Sequence, residues 1–60
     1  MKANEARCKA KTRSAVNPHK TFYVVDHLSN AKFKIKTSVN EDDDILSQWE
    51  NGKETFFRYA

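Results

Sequence analysis

The chain has one cysteine, one proline and one glycine among its 60 residues, and each shortage removes a class of protein. The lone thiol, Cys8, rules out an internal disulfide and is the usage expected in a reducing compartment. The longest apolar run, Phe22-Tyr23-Val24-Val25, falls far short of the roughly 20 residues that cross a bilayer. Met1 and Lys2 lead into a polar stretch without the apolar centre of a secretory signal. A cytoplasmic protein with no membrane partner is therefore expected.

Catalytic chemistry finds no footing either. The single glycine, Gly52, leaves no glycine-rich loop to cradle phosphate. His19, His27, Cys8 and Asp26 lack the paired spacing of metal ligands, so no metal and no cofactor are expected. No serine stands in a nucleophile-elbow context. A substrate-sized pocket would also consume core that a single domain spanning 1–60 cannot spare, since so short a chain hides only about 60% of its unfolded surface. The expectation is a binding protein and not an enzyme.

Charge is present in quantity and unevenly placed. Residues 1–20 carry Lys2, Arg7, Lys9, Lys11, Arg13 and Lys20 against Glu5, a local +5. Residues 21–39 set Lys32, Lys34 and Lys36 against Asp26, a local +2. Residues 40–52 hold Glu41, Asp42, Asp43, Asp44 and Glu50, a local −5. Such polarity suits a polyanionic partner, although it also arises in ordinary charge-rich small proteins.

The middle of the chain reads as a β-hairpin. Thr21 to Leu28 is aromatic and β-branched, and Ala31 to Val39 alternates strictly, with Phe33 and Ile35 on one face and Lys32, Lys34 and Lys36 on the other. Ser29-Asn30 supplies a turn. A loop of two or four residues sets Tyr23 opposite Lys36; a three-residue loop reverses the parity and exchanges Tyr23/Val25 with Phe22/Val24 at the core. Both registers stay open.

After Val39 the pattern predicts a helix over about 41–51. Ser38 and Glu41 have capping-box spacing, the acidic run loads the first turn, and Ile45, Leu46 and Trp49 form a stripe. Asn51-Gly52 reads as its stop. Lys53 to Ala60 reads as a last strand, with Thr55, Phe57 and Tyr59 on one face and Phe56 and Arg58 on the other.

Residues 1–16 form a basic N-terminal segment with three readings. Arg7, Lys9, Lys11 and Arg13 at odd positions against Ala6, Cys8, Ala10, Thr12 and Ser14 make a strand pattern. Ala3, Ala6 and Ala10 at helical spacing, among good helix formers, make a helix pattern. A disordered arm is the third. Asn17-Pro18-His19 is the loop into the hairpin.

The fold class expected is α+β: an antiparallel sheet of three or four strands with one helix on one face, in the order (β)-β-β-α-β, residues 17–60 being its ββαβ part. The core expected is Val24 or Val25, Leu28, Phe33, Ile35, Val39, Ile45, Leu46, Trp49, Phe57 and Tyr59. If residues 5–14 join the sheet, two cationic rows share its outer face.

Nucleic acid, single-stranded by preference, is the leading partner. Arg7, Lys9, Lys11, Arg13, Lys32, Lys34, Lys36 and Arg58 would neutralise phosphates, and Tyr23 and Phe56 would stack on bases. Lysine rows also guard sheet edges against aggregation, so the signal is generic. The competing class is a small regulator or inhibitor of viral or mobile-element type that docks on a larger protein, as a monomer or a homodimer.

Overall fold

A computed structural model describes residues 2–27 and 32–59. Helix α1 (Ala3–Val16) comes first, followed by four strands: β1 (Thr21–His27), β2 (Lys32–Lys36), β3 (Asp44–Glu50) and β4 (Lys53–Phe57). They form one antiparallel sheet in the order β2-β1-β3-β4, and α1 packs across one face of it. The α+β class stands. The expected element order does not, because the helix precedes the strands.

Residues 3–16 are helical, against the strand pattern of their charges. The deciding feature is the stripe of small residues: Ala6, Ala10 and Ser14 are all fully buried, and Ala3 packs at the same boundary. With no long side chain in between, helix and sheet approach closely. The helix ends where Asn17 donates both its backbone N–H and its side-chain amide to the Arg13 carbonyl, just before Pro18.

The first hairpin forms as its alternation predicts. His27 pairs with Lys32 and Tyr23 with Lys36, the register of a four-residue loop. Phe22 and Val24 therefore turn towards the helix, in line with Phe33 and Ile35 of β2. The expected turn Ser29-Asn30, its neighbour Ala31 and the expected core residue Leu28 lie outside the described residues.

The segment expected as a helix over 41–51 is instead a turn followed by β3. Asp43 donates its backbone N–H to the Asn40 carbonyl, and its carboxylate accepts the Asn40 N–H at 2.8 Å and the Lys36 ammonium at 2.9 Å. The acidic run thus folds back on β2. The helical look of Ile45, Leu46 and Trp49 comes from a β-bulge: Val24 faces Ser47 while Val25 faces Ile45, leaving Leu46 as the extra residue. Leu46 and Ser47 are consecutive and both buried, and Trp49 follows on the same side, donating its indole N–H to Ser47 Oγ at 3.0 Å.

Asn51-Gly52 is then not a helix stop but the two-residue loop of a β3–β4 hairpin. Both residues have positive φ, 50° and 75°, as the tight hairpin turn requires. Gly52 also donates its N–H to the buried Ser14 Oγ at 2.9 Å, which ties this loop to the helix.

The core consists of Ala6, Ala10, Phe22, Val24, Leu46 and Trp49, with Phe33, Ile35 and Phe57 packed against it. Tyr59, expected inside, is 72% exposed, its ring in an edge contact with Phe57 and 5.7 Å from the Arg58 guanidinium, because the chain leaves β4 at Phe57. Ile45 and Val39 are half-buried and outside the central cluster.

Gly52→Ala tests the hairpin. An added Cβ would sit 3.2 Å from Ala15 Cβ at a φ that L residues resist. The expected loss is about 1–2 kcal/mol, read as a lower urea midpoint with an unchanged slope; an unaffected midpoint would mean the loop is not built this way.

Candidate nucleic-acid interface

Helix α1 covers one face of the sheet; on the other, the open face, no helix packs among the described residues, although Val25 on that side is only 3% exposed. Alternation from Phe22, Val24, Phe33, Ile35 and Trp49, which point at α1, sends Tyr23, Val25, Lys32, Lys34, Lys36, Gln48 and Glu50 the other way. A second bulge at Thr55 pairs Gln48 with Phe56 and Trp49 with Glu54. Phe56 consequently joins the open face, and Glu54 turns to the helix.

One row runs across all four strands on that open face: Lys36, Tyr23, Gln48 and Phe56, in the order β2, β1, β3, β4. Beside it a second row sets Lys34, Val25 and Ile45. Tyr23 is half-buried and Phe56 is 47% exposed, so both rings keep surface for a ligand. They are two strands apart, about 10 Å at ordinary strand spacing. Lys32 and Lys34 are exposed and have no ion-pair partner among the described residues. At the other end Lys53 stands opposite Glu50, whose carboxylate accepts the Thr21 hydroxyl at 2.9 Å.

The expected site residues thus divide. Tyr23, Phe56, Lys32, Lys34 and Lys36 come together. Lys9, Lys11 and Arg13 do not: they are exposed on α1, which lies against the opposite face, so the two cationic rows do not share one surface. The physical reason is the helical fold of residues 3–16, which removes them from the sheet.

Three of the expected cations are tied up inside the molecule. Arg7 forms a two-pronged bond to Glu54, Nε to Oε2 at 2.9 Å and Nη2 to Oε1 at 2.7 Å, with its guanidinium 3.8 Å over the Phe57 ring. The Glu54 hydrogen bond raises the Arg7 pKa above its ordinary value, against a smaller opposing effect of burial. Lys36 is held by Asp43. Arg58 donates Nε to the Ile45 carbonyl at 3.3 Å. Its Nη2 is buried 2.8 Å from Asp44 Oδ1, within ion-pair reach but without hydrogen-bond alignment.

Gln48 and Lys53 belong to the open face and were missed by sequence reasoning. The signal that finds them is Asn51-Gly52 between two short apolar runs, read as a hairpin loop instead of a helix end. Among the described residues no cluster of three or more His, Cys, Asp or Glu side chains could hold a metal, and no helix is long and apolar enough to cross a membrane. Compared with protein-family models, curated proteins and solved structures, the chain matches none.

Two predictions follow from these pairs. Arg7→Ala is expected to lower stability by about 1–2 kcal/mol, since the fork and the ring contact go together. Arg7→Lys would restore little of it, because an ammonium lacks the fork; a denaturant double-mutant cycle with Glu54→Ala that shows no coupling would refute the clamp.

The second concerns pH. The Asn40 N–H, and after it Lys36, hold the Asp43 carboxyl below its ordinary value. A depressed folded pKa gives stability that is present above the unfolded value of about 3.9 and lost as pH falls through the lower folded value. An NMR titration should show the Asn40 amide following this low midpoint. Lys36→Ala should raise the midpoint only part of the way, because the backbone donor is the larger cause.

Proposed function

We propose that this chain is a non-catalytic nucleic-acid-binding protein that lays a single strand across the open face of its sheet. The observation that carries the reading is the row Lys36-Tyr23-Gln48-Phe56 on the face away from the helix, its first three residues half-buried and Phe56 exposed, flanked by Lys32, Lys34 and Lys53. Rings on such a surface stack on unpaired bases, lysines meet the phosphates, and a side-chain amide offers both a donor and an acceptor to a base edge. A duplex would hide the base faces that Tyr23 and Phe56 need, which is why a single strand is favoured.

Lys32 and Lys34 supply the larger share of the electrostatic attraction, because Lys36 is already compensated by Asp43. Arg7 and Arg58 are absent from the proposed contact for the same reason.

The test is a fluorescence titration against labelled single- and double-stranded DNA and RNA at two salt concentrations. Single strands should bind more tightly, and affinity should fall steeply with salt. Removing Lys32 and Lys34 together should weaken binding and flatten the salt dependence. Tyr23→Ala and Phe56→Ala should each reduce affinity by about 1–3 kcal/mol with the salt slope intact. No association with any nucleic acid at low salt would overturn the reading and move the search to a larger protein as partner.

A further inference from the structure

We propose that the groove between α1 and Trp49 of β3 is a binding site for a small aromatic monocarboxylate, a single flat ring bearing one carboxylate. Asn4, Arg7, Cys8, Lys11 and Trp49 line it, around a volume of about 210 Å³. An apolar cavity of about 150 Å³ already admits benzene, so one ring with a short acidic arm is accommodated. The site lies on the helix side of the sheet, away from the row proposed to meet nucleic acid, and does not depend on that reading.

Helical spacing builds one wall. Asn4, Arg7, Cys8 and Lys11 recur by three and four, which places them on one flank of α1, beside the buried stripe of Ala6, Ala10 and Ser14. Trp49 is the other wall. Its indole N–H is already given to Ser47 Oγ at 3.0 Å, so its ring offers the groove no free polar group. The lining is mostly apolar, which selects a ring over a sugar or a bare ion.

Charge then selects the sign of the ligand. Arg7 is fixed by its two-pronged bond to Glu54 and its place over the Phe57 ring. Lys11 is exposed, with no ion-pair partner among the described residues, and its flexible stem can bring the ammonium onto a carboxylate. Two cations against the one carboxylate of Glu54 leave a single positive charge at the groove. A monocarboxylate matches it, whereas a phosphate monoester carries nearly two negative charges and would set the surplus against Glu54.

The only tryptophan and the only cysteine of the chain both line the groove, so binding is read twice. Cys8 also borders a neighbouring hollow beside Lys9 and Arg13, which makes Lys9→Gln the control. The full chain is titrated with phenylacetate, with phenethyl alcohol as the uncharged ring and acetate as the anion without a ring. Phenylacetate should change Trp49 emission saturably and slow alkylation of Cys8 at least fivefold, and the other two should bind at least tenfold more weakly. Lys11→Gln, which keeps helix propensity, should weaken phenylacetate at least fivefold with circular dichroism unchanged, and Lys9→Gln should leave it within twofold.

No saturable change with phenylacetate would overturn the proposal. Phenethyl alcohol binding as tightly would overturn it too, since charge would then play no part. Equal losses in Lys9→Gln and Lys11→Gln would mean a diffuse attraction to the helix and no site. Protection of Cys8 by a short oligothymidylate, dependent on Lys11 and not reproduced by phenylacetate, would give the groove to nucleic acid and likewise overturn it. None of these results bears on whether a single strand binds through Lys32 and Lys34, which those variants test separately.

Discussion

Everything in this fold depends on how closely α1 can lie against the sheet. The helix brings no large apolar side chain to the interface; its fully buried residues are Ala6, Ala10 and Ser14. The bulk comes from the other side, from Phe22, Val24, Leu46 and Trp49, each such side chain contributing about 1.5–3 kcal/mol when fully buried. Small residues let the helix backbone reach those side chains without a gap. Polar fastenings then fix its position, Ser14 to the Gly52 N–H at one end and Arg7 to Glu54 near the other.

The two bulges decide which side chains that arrangement leaves outside. Without the extra residue at Leu46, β3 would alternate regularly, and Ile45 and Trp49 could not point to opposite faces. Without the one at Thr55, Glu54 and Phe56 would share a face, and Arg7 would lose its partner or Gln48 its neighbour. Each bulge therefore serves the core and the open face together: Leu46 and Glu54 turn inward, Ile45 and Phe56 outward. The candidate interface is a by-product of how the core closes.

Much of this was legible in residue patterns, and the failures have identifiable causes. The β1–β2 hairpin shows plainly because Lys32 to Lys36 alternate over a regular pair with no bulge. β3 does not, because an inserted residue shifts the period from two towards the helical spacing of Ile45, Leu46 and Trp49. The acidic run added a false helix start; its real task, Asp43 closing a turn onto Lys36, depends on a contact seven residues away that periodicity cannot reveal. Residues 3–16 carried two periods at once, charge alternating by two and alanine recurring by three and four. The alanine period was decisive because burial acts on the side chains that pack, and the charged ones remain in water whichever backbone is chosen.

The same logic applies to the charges themselves. A count of basic residues suggests a strongly cationic surface, yet Arg7, Lys36 and Arg58 each spend their charge on a carboxylate of another element: Glu54 of β4, Asp43 of the turn before β3, and Asp44 of β3. These pairs hold the helix to β4, the turn to β2, and the chain's last turn to β3. Only cations left after this internal pairing are available to a partner. Among the described residues they are Lys2, Lys9, Lys11, Arg13 and Lys20 on or beside the helix and Lys32, Lys34 and Lys53 on the sheet. The polarity of the sequence is therefore in part a record of internal pairing, and Lys36 alone of the proposed row is also tied into the fold, through Asp43.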